Sequence, residues 1–132
     1  MASDSLFPLM DDRQQRLLAG EAVVVNVSRR ERRFVDPLAA FAHERDLLVY
    51  IGHRTRNGWP ESDWANPFST ELKHGATRDE VIRRFEQNLR GRTDLLARLG
   101  ELGGRALGCW CWPQPCHGNV LAALVNTRTK SA

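Results

Sequence analysis

The stretch Arg105-Ala-Leu-Gly-Cys-Trp-Cys-Trp-Pro-Gln-Pro-Cys-His-Gly-Asn-Val-Leu-Ala-Ala-Leu-Val125 runs from a short apolar strand, through a loop, into an apolar helix. Residues 109–117 hold all three cysteines of the chain, two of its four tryptophans and one of its four histidines. In open α/β sheets ligands bind where a strand hands over to a helix, because backbone amides at the helix start converge on the crevice beyond the strand ends. The loop is therefore the predicted site, and the rest of the chain is read as its support.

Two further apolar runs, Ala22–Val27 and Leu47–Ile51, lack alternation, the pattern of strands covered on both faces. Asp36-Pro37 predicts a helix start, with Asp as N-cap and Pro at the first helical position, and that helix runs to about Arg45. Thr77-x-x-Glu80 is a capping box followed by Val81, Ile82, Phe85 and Leu89 at helical spacing. Thr93 caps another helix, with Leu95, Leu96, Leu99 and Leu102 on one face, stopped by Gly103-Gly104. The order β-α-β-α-α-β-α, with helix-sized connections, predicts parallel strands and right-handed crossovers: a small three-layer Rossmann-like α/β domain with a mostly parallel sheet. Residues 1–20 read as a polar lead-in with a short helix from Asp11, residues 21–126 as the single domain, and 127–132 as a tail, with polar fraying expected from Asn126. Residues 29–33, 52–68 and 109–119 then open on one edge of the sheet.

A chain of 132 residues is one domain. Its 42% hydrophobic and 27% charged content is ordinary for a globular protein, and its longest apolar runs are far below a membrane span. Met1-Ala-Ser-Asp-Ser has neither a basic n-region nor an apolar h-region, so no signal peptide is expected. Three cysteines within eight positions do not resemble a secreted disulfide framework, and a reduced, cytoplasmic setting is the expectation. The net charge is +3, and Arg29, Arg30, Arg32 and Arg33 follow one predicted strand while His53, Arg54 and Arg56 follow the next. That placement suits an anion site, with solvated surface charge as the rival reading. No long basic stripe or reader motif appears, so extended nucleic-acid binding is not expected.

The loop admits three readings. In the first, Cys116 sits at the start of the last helix, where the dipole and a neighbouring His117 lower a thiol pKa. Cys116 is then a nucleophile and His117 its acid/base partner, although the run of amides closed by an arginine that phosphatase-like loops use is missing. In the second, Cys109, Cys111, Cys116 and His117 supply four zinc ligands of the right types. In the third, the cysteines are small buried hydrophobes and His117 caps the helix. The long connection 53–76 carries Trp59, Trp64 and Asn66-Pro67-Phe68, and loops of this length are often functional. Asn before Pro is biased to extended backbone, which aims its amide away from the local chain. The tryptophans either plug the core or wall a flat ligand such as a base.

The unit Leu107-Gly-Cys-Trp-Cys-x-Pro-x-Pro-Cys-His-Gly-Asn-Val-Leu121, together with Trp64-Ala-Asn-Pro-Phe68 and Tyr50-Ile-Gly52, resembles an uncharacterised family of phages and bacteria, catalogued as a domain of unknown function. Its signatures are the Asn-Pro-Phe and Gly-Cys-Trp-Cys…Cys-His-Gly motifs, and the resemblance covers roughly residues 22–126. The family commonly has Asp where this chain has Asn119 and a basic residue in place of His53. A more distant similarity runs to another uncharacterised, Rossmann-like family with a Cys…Cys-His-Arg loop, where this chain has Gly118 at the arginine position. The viral and bacterial setting of the resemblance implies nucleotide or modified-base metabolism.

The expectation is a protein that binds a nucleotide, nucleoside or other phosphorylated small molecule at the strand carboxyl ends, as a hydrolase or transferase using Cys116 and His117. Its ligand would be held by Arg29, Arg30, Gly52, Arg54, Trp64, Asn66, Phe68, Cys109, Gly118 and Asn119. No cofactor is expected, with zinc as the alternative. A non-catalytic nucleotide sensor and a zinc-stabilised interaction domain are the rival functions. No membrane partner is expected, and a homodimer is compatible with the sequence.

Overall fold

The computed structural model describes the backbone of residues 12–131 and the side chains of residues 12–127. The first eleven residues of the predicted lead-in and Ala132 lie outside this range.

Along the chain come α1 (Arg13–Leu18), β1 (Val23–Asn26), β2 (Arg29–Arg30), β3 (Arg33–Phe34), α2 (Pro37–Glu44) and β4 (Leu48–Tyr50). A 3-10 turn (Ser69–His74) leads to α3 (Arg78–Arg90) and α4 (Thr93–Leu96); a second 3-10 turn (Leu99–Leu102) precedes β5 (Ala106–Cys109) and α5 (His117–Ser131). The three predicted apolar strands form one parallel sheet in the order β1-β5-β4. Leu107 pairs with Val24 on one side and Val49 on the other.

The sheet is covered on both faces, which explains why its strands do not alternate. Val23, Val25 and Ala106 pack toward α1 and α2 with Leu17, Leu38, Ala39 and Ala42. Val24, Leu107 and Cys109 pack toward α3, α4 and α5 with Phe85, Leu89, Leu95 and Leu121. The fold is thus a small three-layer α/β domain. Gly108 is required at the centre of the sheet, because a Cβ there would fall 2.5 Å from Val27 Cγ1 and 3.2 Å from Leu48 Cδ1.

Two of the three predicted caps are present; Thr93 is instead the first residue of the four-residue α4, which follows Arg92 without a side-chain cap. Asp36 accepts from the Leu38 amide at 3.1 Å ahead of Pro37, and Thr77 and Glu80 form the reciprocal capping box.

Three further local features differ from the sequence reading. First, residues 29–34 form an antiparallel hairpin rather than an open loop. Glu31 and Arg32 turn it with φ of 52° and 70°, the left-handed pair that a two-residue type I′ turn needs. Second, α1 belongs to the packed domain: Arg13 is 5% and Leu17 3% exposed. Third, Asn126 does not begin a frayed tail. It lies within α5, accepting from the Ala22 amide at 2.7 Å and donating to the Ala22 carbonyl at 3.0 Å, which ties the helix to the start of β1. No helix among the described residues is long and apolar enough to cross a membrane.

Candidate functional site

A cavity of about 280 Å³ opens beyond the carboxyl ends of β4 and β5. Tyr50, Gly52, His53, Arg54 and Thr55 line it from the end of β4 and the segment after it, and Cys109, Trp110 and Cys111 from the end of β5 and the segment after it. Cys116 and His117 contribute the start of α5, Arg78, Val81 and Ile82 the start of α3, and Asn66, Ser69 and Leu72 the long connection. Two of the three post-strand segments therefore converge as expected. The third does not. β1 is an edge strand, and after it the chain turns away into the β2–β3 hairpin, so Arg29 and Arg30 are exposed and neither lines the cavity. Arg29 instead borders a separate hollow with His43, Asn57, Gly58 and Trp59, and its guanidinium lies over Phe34.

The polar wall has a defined charge. Arg54 and Arg78 both line the cavity, and neither guanidinium forms an ion pair with a carboxylate among the described residues, although the Arg54 amide donates to Glu61 at 2.8 Å. Arg13, Arg16, Arg84, Arg90, Arg92 and Arg98 are all ion-paired elsewhere. Arg78 donates to the Pro115 carbonyl at 3.2 Å, which ties α3 to the cysteine loop. On the rim, Leu72 and Trp110 are each 40% exposed. The Trp110 indole N–H donates to the Tyr50 hydroxyl at 3.0 Å, that hydroxyl donates to the His53 carbonyl, and Tyr50 stacks on Trp59. Burial pushes the Tyr50 phenol above its ordinary pKa.

The sulfur wall holds Cys109, Cys111 and Cys116, all reduced. Cys109 and Cys116 are buried and Cys111 half-buried, and the Cys109 and Cys116 sulfurs are 3.1 Å apart. Hydrogen bonds from the Cys109 and Cys116 thiols, followed by the Arg78 guanidinium, hold Cys111 well below the ordinary thiol range. Donation to its sulfur neighbours pushes Cys116 up, and burial adds to this. Within the cluster the expected nucleophile, Cys116, is therefore pushed up and Cys111 down. At Cys116 the two neighbouring sulfurs, and then burial, act against the lowering expected of a helix start.

His117 is the first residue of α5. Its Nε2 is 2.8 Å from the Ile51 carbonyl, and a carbonyl only accepts, so Nε2 carries the proton and Nδ1 is a bare acceptor. Desolvation lowers its pKa, and Phe85 meets the ring edge-on at 5.0 Å.

Several predicted ligand contacts serve the scaffold instead. Trp64 is buried in the core, with the Arg98 guanidinium over its ring. Asn66 borders the cavity, but its side chain donates to the Val81 carbonyl at 3.2 Å and accepts from the Phe68 amide at 2.9 Å. Phe68 is half-buried and does not line the cavity. Gly118 packs on the sheet, where a Cβ would lie 2.9 Å from Ile51 Cδ1. The Asn119 side chain accepts from the Cys116 amide at 2.9 Å and caps α5. His53 is occupied on both nitrogens, by Glu61 at 2.8 Å and by the Asn66 carbonyl at 2.7 Å.

Sequence reasoning missed Tyr50, Arg78 and Trp110. Tyr50 and Trp110 sit at or just beyond strand carboxyl ends, a position that marks site residues in this class. Arg78 carries no local signal beyond following a helix cap. It reaches the cysteine loop only because α3 packs beside α5.

These features define a small parallel α/β domain with a ligand-sized cavity at its strand ends, lined by three sulfurs and by the guanidinium groups of Arg54 and Arg78. A model described as "Domain of unknown function (DUF4326)" matches residues 13–127, and the chain belongs to that family. It is 33% identical over 87 residues to an uncharacterised protein of Acanthamoeba polyphaga mimivirus, R718, covering 58% of this chain and 65% of the relative. It is also 36% identical over 58 residues to an uncharacterised 12.4 kDa protein from the nrdA-td intergenic region of Enterobacteria phage T4, covering 41% of this chain and 54% of the relative. The matches thus span between about half and two thirds of these relatives' lengths. No solved structure matches the chain.

Proposed function

We propose that the cavity binds a small anionic molecule of the nucleotide class. The observation that carries this reading is the pair Arg54 and Arg78, two cations lining one cavity whose guanidinium groups form no ion pair with a carboxylate among the described residues. Leu72 and Trp110 on the rim add an apolar surface and an indole on which a flat ring can stack. Of the arginines expected to meet phosphate, Arg54 keeps that role in this reading, and Arg78 takes it over from Arg29 and Arg30.

The reaction class that suits this wall is hydrolysis or group transfer on the bound molecule. The sulfur cluster is the reacting edge in place of Cys116 alone, and the bare Nδ1 of His117 is the nearby proton acceptor. Three free thiols suit a reduced, cytoplasmic setting.

Equilibrium binding of a nucleoside monophosphate, the matching nucleoside and inorganic phosphate tests the reading. A charge-assisted contact contributes about 1.5–3 kcal/mol, so Arg78→Ala and Arg54→Ala should each weaken the monophosphate by roughly tenfold or more, while Arg29→Ala and Arg30→Ala leave it unchanged. Equal binding of nucleoside and monophosphate would refute the anion site. Turnover of the bound nucleotide separates an enzyme from a sensor.

A further inference from the structure

The sulfurs of Cys109, Cys111 and Cys116 all lie within 4.8 Å of one another. One ends β5, one lies two residues further on, and one returns with the chain to precede α5. A zinc–sulfur bond of about 2.3 Å sets tetrahedral sulfur–sulfur edges of about 3.8 Å, so a triangle of this size fits around a single ion. The Cys109–Cys116 edge, at 3.1 Å, needs to open by about 0.7 Å to reach that spacing. It is also well outside the roughly 2.05 Å of a disulfide bond.

Each sulfur has its own stabilising neighbour. The amides of Cys111 and Trp112 favour the charged form of Cys109, the Gly118 amide donates to the Cys116 sulfur at 3.3 Å, and Arg78 favours the charged form of Cys111. Such contacts orient thiolate ligands and offset their charge. The fourth ligand suggested by the sequence, His117, is not part of the group, since neither of its ring nitrogens lies within 4.8 Å of all three sulfurs. All three cysteines line the cavity.

We propose that Cys109, Cys111 and Cys116 bind one Zn²⁺ ion as three thiolates, with the fourth coordination position open to the cavity. Binding releases the thiol protons to solvent and forms three zinc–sulfur bonds without any change of oxidation state. Closed structural sites use four protein ligands, whereas sites that bind or activate a ligand keep one position for water or that ligand. This site is of the second kind. The inference stands apart from the anion reading, since the metal is tested with no nucleotide present.

The test is anaerobic titration of the reduced, metal-free protein with Co²⁺, followed by displacement with Zn²⁺ and by competition against a chromophoric chelator. One equivalent of cobalt should produce thiolate-to-metal charge-transfer absorption and the intense visible bands of a tetrahedral ion, and one equivalent of zinc should abolish both. Cys111→Ser should weaken the site by more than the about 10–100-fold that loss of an outer contact costs. His117→Asn should retain the cobalt spectrum, which guards against a Cys111 variant that simply fails to fold. Absence of a stoichiometric thiolate–cobalt spectrum in the wild-type protein overturns the proposal, as does its survival unchanged in Cys111→Ser. Loss of the spectrum in a folded His117→Asn protein overturns the open position, and a Cys109–Cys116 disulfide persisting under reducing conditions overturns the metal site itself.

Discussion

The guanidinium of Arg13 lies 3.5 Å from the centre of the Trp112 ring while its two terminal nitrogens grip Asp36 at 2.9 and 3.0 Å. Arg13 also donates to the Val24 carbonyl at 2.8 Å, and Asp36 accepts from the Asn26 amide at 3.0 Å. One buried cation thus links α1, the end of β1, the start of α2 and the cysteine loop. Asn26 adds a second link, donating to the Trp112 carbonyl at 2.7 Å.

Removing this cation leaves Asp36 buried and unpaired. Arg13→Ala should cost about 3–5 kcal/mol, measured by urea denaturation. It should also loosen the cysteine loop, seen as a red shift in tryptophan emission before global unfolding. A loss below about 1 kcal/mol would mean that α1 is dispensable.

Asn66 serves the scaffold. Replacing it with Ala strands the Phe68 amide and removes a bond to α3, so Asn66→Ala should cost about 2 kcal/mol of stability. A melting temperature unchanged by this substitution would return the side chain to the list of ligand contacts.

In reduced, metal-free protein Cys111 should be alkylated first, because it is the half-buried sulfur and the one that receives hydrogen bonds from both neighbours and from Arg78. Mass spectrometry of partially labelled protein reads the order directly. Arg78→Ala should slow the Cys111 reaction most at low pH, where the thiolate fraction is limiting. Faster labelling of Cys116 would contradict the geometry of the cluster.

Glu61 pins the segment 53–66. The Arg54 amide, and then His53, hold its carboxyl below the ordinary glutamate range. A depressed folded pKa means that the open segment binds more protons. The clasp is therefore fully formed above the ordinary value of about 4.3 and is lost as pH falls through the lower folded value. Trp59, stacked on Tyr50 at 4.7 Å, should report this as a fluorescence transition in the acid range, and Glu61→Gln should shift or remove it.

The three parallel strands, both capped helix starts and the placement of a site at the strand ends could be read from local patterns. Unalternating β-branched runs, Asp36-Pro37 and Thr77-x-x-Glu80 act within a few residues of themselves. The hairpin at residues 29–34 escaped that reading because Glu31 and Arg32 adopt left-handed backbone without a glycine or asparagine to announce it. The role of Arg13 was equally hidden, since its partners lie 11 and 23 positions away.

By itself the sequence determined the layered α/β architecture and the concentration of sulfur chemistry between β5 and α5, since hydrophobic period, caps and spacing are local properties. Tertiary structure decided which charges meet that chemistry. Strand order β1-β5-β4 leaves β1 at an edge, so the arginines after it turn outward. The packing of α3 beside α5 brings Arg78 to the sulfurs. Neighbouring groups decided the rest: hydrogen bonds among the three sulfurs, followed by Arg78, push Cys111 down and Cys116 up, and burial places Trp64 in the core and holds the Asn66 amide on backbone partners. Desolvation and neighbouring charge depend on what the folded chain places within a few ångströms, and that distance is not written in the order of residues.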